Sequence, residues 1–253
     1  MIFCGLDLET SDIPVGSARI LEVACVLYDS ESASLFERWS ALVWCNSYAT
    51  PNQAALNVNG LSVKTLESVG APPKDIFPKV IRYIERADAV IAHNGNSFDK
   101  PILEFELEQA GFKAPDRPWI DSRYDLPYPS SSKSRKLSHL AVDHNIPFIE
   151  THRALKDVEI MLQIASKYDL LEAYNRAKTP LLRIEAQLAY KDREEAKTRG
   201  YTWDNDKKLW FKNIREFDYQ KEIDNSPFVV FKCLDTNEKQ SREKISKQDP
   251  PAT

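Results

Sequence analysis

Apolar and polar positions change rhythm along the chain, and each rhythm predicts an element. Ile2 to Glu9, Ile20 to Tyr28 and Leu35 to Trp44 are apolar or alternating runs divided by turn-rich stretches, which predicts three successive strands joined as a meander. From Asp75 to Arg86 the residues Ile76, Phe77, Val80, Ile81 and Ile84 recur at steps of three and four behind Pro72-Pro73, the signature of an amphipathic helix. A strand is expected at Ala87 to Ala92. Phe98 to Ala110 reads as a helix capped by Ser97, with Pro101 tolerated in its first turn and Gly111 as its stop. Trp119 to Ser122 suits a short strand. Leu137 to His144 and Thr151 to Lys167 read as helices, the second with Leu155, Val158, Met161, Leu162 and Ala165 on its apolar side. A meander followed by alternating strands and helices implies an α/β fold, a mixed sheet covered by helices.

The character shifts near Lys178 to Pro180. Beyond it, Arg183 to Tyr190 suits a strand, Asp192 to Arg199 a charged helix ending at Gly200, and Tyr201 to Ile214 a hairpin turning at Asp204-Asn205-Asp206. Phe228 to Leu234 is a last apolar strand. The expected organisation is a main domain over residues 1–175, a small α+β module over 180–234 and a disordered polar tail over 235–253.

Composition narrows the function classes. The formal charge of −4 with a pI near 5.7 gives no overall basic field, so any affinity for nucleic acid must come from local patches. Cys4, Cys25, Cys45 and Cys233 show no metal-ligand spacing and read as reduced core thiols. No apolar run reaches membrane-spanning length, and Met1 to Leu6 lacks the basic flank of a signal peptide. A soluble, cytoplasmic protein with no membrane partner is the expectation.

Three short stretches could carry chemistry. In Leu6-Asp7-Leu8-Glu9-Thr10, at the end of an apolar strand, Asp7 and Glu9 are two apart and so share a face, an arrangement that suits a pair of metal ions; a polar strand end entering a turn would look the same. In His93-Asn94-Gly95-Asn96-Ser97-Phe98-Asp99, Asp99 falls in a first helical turn near the C-terminal strand ends, where open α/β sheets bind ligands. Helix-dipole preference explains an Asp there equally simply. In His152-Arg153-Ala154-Leu155-Lys156-Asp157, the first and last residues are about 140° apart around a helix and must do different work. Asp157 beside an apolar stripe is costly without a cation, while His152 has the intrinsic pKa of a general base; a surface His and a solvated Asp are the plain alternative.

Taken in order, Asp-Leu-Glu-Thr, the His-Asn loop closing on Phe98-Asp99, and His152-x-Ala154-x-x-Asp157 resemble the three exonuclease motifs of the DEDDh (DnaQ-like) family across residues 1–170. The middle motif, followed by Pro101, is most similar to TREX-type and exonuclease X-like members. This resemblance implies a ribonuclease H-like fold with a mixed five-stranded sheet. It implies that Asp7, Glu9, Asp99 and Asp157 hold two Mg²⁺ ions, replaceable by Mn²⁺, and that His152 is the general base. Leu8 and Thr10 would cradle the 3′-terminal sugar. Ala55 to Leu61 would be the loop reading the terminal nucleotide, with Asn59 where relatives often have His and Leu61 as a wedge. Asn94 would contact substrate from the middle motif. The implied activity is 3′→5′ release of nucleoside 5′-monophosphates from nucleic acid with a free 3′ end, DNA favoured over RNA. An exoribonuclease, and a catalytically silent binding module on the same fold, are the alternatives. Ser130 to Lys136, with Lys133, Arg135 and Lys136, could grip phosphates or could equally be a flexible solvated loop. In the second module, which resembles small accessory modules of some bacterial and phage exonucleases, Tyr201, Trp203, Trp210 and Phe211 interleave with Lys207, Lys208 and Lys212. That pattern fits either a small aromatic core or a base-stacking platform.

Overall fold

The computed structural model describes residues 1–45, 51–129, 131–148 and 153–232. The chain divides into two compact units, Met1–Ala177 and Lys178–Thr253.

The first unit opens with the expected meander, β1 (Ile2–Thr10), β2 (Ile20–Asp29) and β3 (Ser34–Leu42), paired antiparallel. Two short helices that hydrophobic periodicity does not signal follow, α1 (Gln53–Asn59) and α2 (Val63–Val69). Local capping makes them. The Asn52 side chain accepts from the Ala54 N–H, Gly60 takes φ 63° to end α1, and the Ser62 side chain accepts from the Thr65 N–H. The stretch expected as a loop at Ala55 to Leu61 is thus mostly helix. Next come α3 (Pro73–Glu85), with proline at its start as expected, and β4 (Ala89–Ala92). α4 (Asp99–Gln109) begins without a side-chain cap, so Ser97 does not serve as one; its N–H donates to the Asn94 carbonyl within the preceding turn. β5 (Trp119–Asp121), α5 (Leu137–Asp143) and α6 (Ala154–Ala165) match the pattern, and α7 (Leu170–Ala177) adds a helix whose opening N–H groups, Leu171 and Glu172, donate to the Asp169 carboxylate.

The sheet order is β3-β2-β1-β4-β5, with β1, β4 and β5 parallel, so the expected mixed five-stranded sheet is present. Strand alternation sends β1 to two cores. Cys4, Leu6 and Leu8 pack with Phe77, Val80, Ile102 and Leu103 of α3 and α4. Phe3, on the other face, packs with Val158, Met161 and Leu162 of α6. Gly5 shares the Phe3 face, and a Cβ there would lie 2.7 Å from both Val158 and Leu162, so glycine is what lets α6 settle directly on β1. Cys4 and Cys25 are buried thiols, Cys45 is partly exposed, and Cys233 lies outside the described residues.

The second unit is a four-stranded sheet. In chain order it contains β6 (Leu181–Gln187), α8 (Arg193–Thr198), β7 (Thr202–Asp204), β8 (Leu209–Arg215), α9 (Tyr219–Asn225) and β9 (Val229–Lys232), with strand order β7-β8-β6-β9. Its core gathers Ile184, Ala186, Ala196, Tyr201, Ile214, Phe228 and Val230. α9 was not signalled by the pattern, being short and without a buried residue. Residues 235–253, the expected tail, lie outside the described residues. No helix among the described residues is long and apolar enough to cross a membrane.

Candidate active site

Asp7 and Glu9 continue the face of β1 that carries Phe3 and Gly5, the face α6 packs on. Asp157 precedes Val158, one of the α6 residues seated on β1, so the same packing that buries Val158 delivers a carboxylate to the strand. One carboxylate oxygen from each of Asp7, Glu9 and Asp157 falls within 4.8 Å of the others. Asp99 stands outside this trio but beside it. It is 1 % exposed at the start of α4, its Oδ1 accepts from the Leu8 N–H at 3.1 Å, and of the neighbouring charges it raises the Asp7 carboxyl most.

The electrostatics follow from the crowding. Burial, then Asp99, Glu9 and Asp157, hold the Asp7 carboxyl well above the usual carboxylate range. Burial, then Asp157, Glu22 and Asp99, push Glu9 from 4.5 to about 8, against the pull of the Arg153 guanidinium. Burial pushes Asp99 up to about 7, opposed by its own N–H and that of Leu8. Such a set holds protons unless a cation enters, since like charges this close cannot all ionise in a buried pocket. The donors are carboxylate oxygens alone, which favours hard divalent ions such as Mg²⁺ or Mn²⁺ over zinc.

The other expected residues have mixed placements. His152 lies outside the described residues. The Leu8 side chain is 4 % exposed in the α3/α4 core, and only its backbone faces the carboxylates. Thr10 is buried, its hydroxyl donating to the Asp12 carbonyl at 2.7 Å. Asn59, also buried, donates from Nδ2 to the Thr10 carbonyl at 3.0 Å, tying the end of α1 to the end of β1. Leu61 packs with Leu21, Trp44, Leu56 and Leu66. Asn94 sits at φ 65°, with its N–H donating to Asp121 Oδ1. Among the basic residues of the 130–136 loop, Arg135 lies over the Tyr128 ring, 4.7 Å from its centroid, and its carbonyl lies 2.9 Å from His93 Nε2.

Four residues around the site carry work that motif reading did not assign: Glu22, Arg153, Asp121 and His93. Glu22 faces Glu9 across β1 and β2 and is 2 % exposed. Arg153 reaches it with two hydrogen bonds, Nε to Oε2 at 2.9 Å and an Nη to Oε1 at 3.0 Å, fixing the start of α6 to β2. The sequence signal was a lone acid inside the apolar run Ile20 to Leu27, a position that demands a partner. Asp121, at the end of β5, accepts from the N–H groups of Asn94, Asn96 and Arg123 and so shapes the turn that leads to Asp99. His93, whose Nδ1 lies 2.9 Å from the Ser122 hydroxyl, is pushed down to about 4 by burial and is a neutral strut of that turn.

A mixed sheet of this order, with helices on both faces and buried carboxylates on its central strand, is the ribonuclease H-like α/β architecture of exonuclease domains. The chain belongs to the RNase T family of exonucleases, whose profile matches residues 4–165. It is similar to the 3′-5′ exonuclease DinG of Bacillus subtilis (strain 168), 27 % identical over 167 residues that cover 62 % of this chain and 16 % of that protein. The chain therefore spans a small part of that relative. Among solved structures, E. coli exonuclease I in complex with a dT13 oligonucleotide superposes with a TM-score of 0.58 at 16 % identity, over 66 % of this chain and 40 % of that one. The nuclease domain of 3′hExo, a DEDDh family member bound to rAMP, gives 0.54 at 16 % identity, over 66 % of this chain and 90 % of that one.

Proposed function

We propose that this chain is a divalent-metal-dependent 3′→5′ exonuclease that releases nucleoside 5′-monophosphates from DNA, with the TREX-type spacing of its middle motif. The observation that carries the reading is the convergence of Asp7, Glu9 and Asp157 within 4.8 Å, with buried Asp99 alongside. Family membership supports nuclease chemistry at that point. DNA as substrate draws support from the likeness to a protein seen with a dT13 oligonucleotide, and RNA is the alternative because another neighbour was seen with rAMP.

In this reading Asp7, Glu9, Asp99 and Asp157 would hold two Mg²⁺ ions, whose chemistry would be to activate water and neutralise charge at the scissile phosphate. The Leu8 N–H and the start of α4 keep Asp99 oriented before any ion arrives. His152, next to the anchored Arg153, would take the proton from the attacking water, so the rate falls below about pH 6.5 as imidazolium forms. The 3′ end would rest against the β1 terminus and α1, where Thr10 and Asn59 meet.

End-labelled single- and double-stranded DNA and RNA, digested with Mg²⁺ and with EDTA, test polarity, sugar and metal need together. Mononucleotide release from the 3′ end, abolished by EDTA and by Asp7→Ala with an unchanged melting curve, is expected. Release by Asp7→Ala at the parent rate would overturn the assignment.

A further inference from the structure

The second unit has aromatic surface that its own core does not use. Tyr201 and Phe228 meet edge to face at 5.4 Å, and with Ile184, Ile214 and Val230 they form that core. Trp203 stands apart from it. It pairs directly across the β7–β8 ladder with Trp210, ring centroids 5.6 Å apart and planes tilted by 60°, yet stays 40 % exposed on the edge strand. The two rings border an open cavity of about 330 Å³ also lined by Leu188, Leu209 and the hairpin-turn residues Lys207 and Lys208.

Charge separates this cavity from an ordinary apolar cleft. Its acid, Glu185, is engaged by Arg183, and Asp204 is taken up by Arg183 at 2.9 Å and by the N–H groups of Asp206 and Lys207. Lys207 and Lys208 are exposed and form no ion pair among the described residues. Lys208 holds φ 54° in the sharp turn, and both lysines line the cavity together with the two tryptophans. Flat π faces next to uncommitted cations match a nucleotide: rings stack on bases of any sequence, and lysines meet the phosphates between them.

We infer that the Trp203–Trp210 edge of the second unit, with Lys207 and Lys208, is a binding site for single-stranded nucleic acid, separate from the carboxylate site. A strand held there is read by stacking and charge, without sequence preference.

The full chain with EDTA, which prevents digestion, is titrated into fluorescent oligothymidylate and oligouridylate, with polyglutamate as an anionic competitor. Trp203→Ala should weaken both oligonucleotides about tenfold, and Trp203→Phe should restore most of the loss. Lys207→Glu with Lys208→Glu should flatten the slope of log affinity against log salt by about 1.4, the expected share of two phosphate contacts on a single strand. Both changes lie on exposed positions, and circular dichroism checks that the sheet persists. Hydrolysis of a minimal nucleotide ester with Mg²⁺ should be unchanged in both variants, so loss of binding here is distinguishable from failure of the nuclease reading. Parent-like affinity in Trp203→Ala and in the double lysine variant would overturn the site. So would polyglutamate displacing the oligonucleotides at equal charge concentration, which would show charge attraction without stacking.

Discussion

Glu22 and Arg153 illustrate how single residues hold a metal-type site together before any ion is bound. A glutamate 2 % exposed and opposite Glu9 adds a fifth acid to a crowded pocket, and the two-pronged Arg153 contact is what makes its burial tolerable. Because that contact also fixes the first residue before α6, Glu22→Gln should lower kcat by about tenfold with little change in KM, and Arg153→Lys, unable to grip both oxygens, should do the same. Steady-state kinetics on a short oligonucleotide checks this, and an equal rise in KM would assign Glu22 to substrate binding instead. The raised acids predict a pH effect on the metal-free protein. Glu9 moves from 4.5 to about 8 and Asp99 from 3.8 to about 7, so the folded protein keeps protons that the unfolded chain releases. Their contribution to stability is complete below about pH 4 and is lost as pH rises through about 7 to 8. In EDTA the melting temperature should fall from about pH 5.5 to about pH 8, and Asp7→Asn should flatten that fall. A steeper fall in the variant would contradict the clustering.

The element that decides the site is α6. Its seat on β1 depends on Gly5, where a Cβ would stand 2.7 Å from Val158 and Leu162. Gly5→Ala should therefore push α6 outward, cost about 1–3 kcal/mol in denaturant unfolding, and lower activity more than Mg²⁺-independent substrate binding, because Asp157 moves with the helix. Undiminished kcat in this variant would show that Asp157 is not needed at its present distance from Asp7. Elements were legible in the sequence in proportion to their amphipathic length. β1, β2, α3, α4 and α6 bury a full stripe and announce it by periodicity. α1, α2, α7 and α9 are seven or eight residues long, which gives periodicity few turns in which to register, whereas α8, shorter still, is legible from its charged run and its Gly200 stop.

For the whole molecule, two units with separate cores predict separable thermal behaviour. On the proposed function, Mg²⁺ would bind only the folded carboxylate site, so it should raise the melting of the first unit by mass action and leave the second unchanged. Hydrogen exchange resolved by peptide measures this directly. Protection gained in β1 and α6 but not in β6 and β8 is expected; uniform protection would mean that the units unfold as one.

The sequence by itself determined the chemistry available: four acids in three motifs, a helix-forming stripe beside one of them, a glycine in an otherwise bulky strand, and an α/β order of elements. Covalent spacing and periodicity set these locally. Only the tertiary structure decided that acids from β1 and α6, some 150 positions apart, come within 4.8 Å, with Asp99 close by, and that Glu22 joins them with Arg153 as its counter-charge. It also left Trp203 at a sheet edge while Tyr201 went into the core. The reason is physical. Proximity between distant residues comes from the packing of whole faces, and the desolvation that raises a carboxyl's pKa exists only once those faces close.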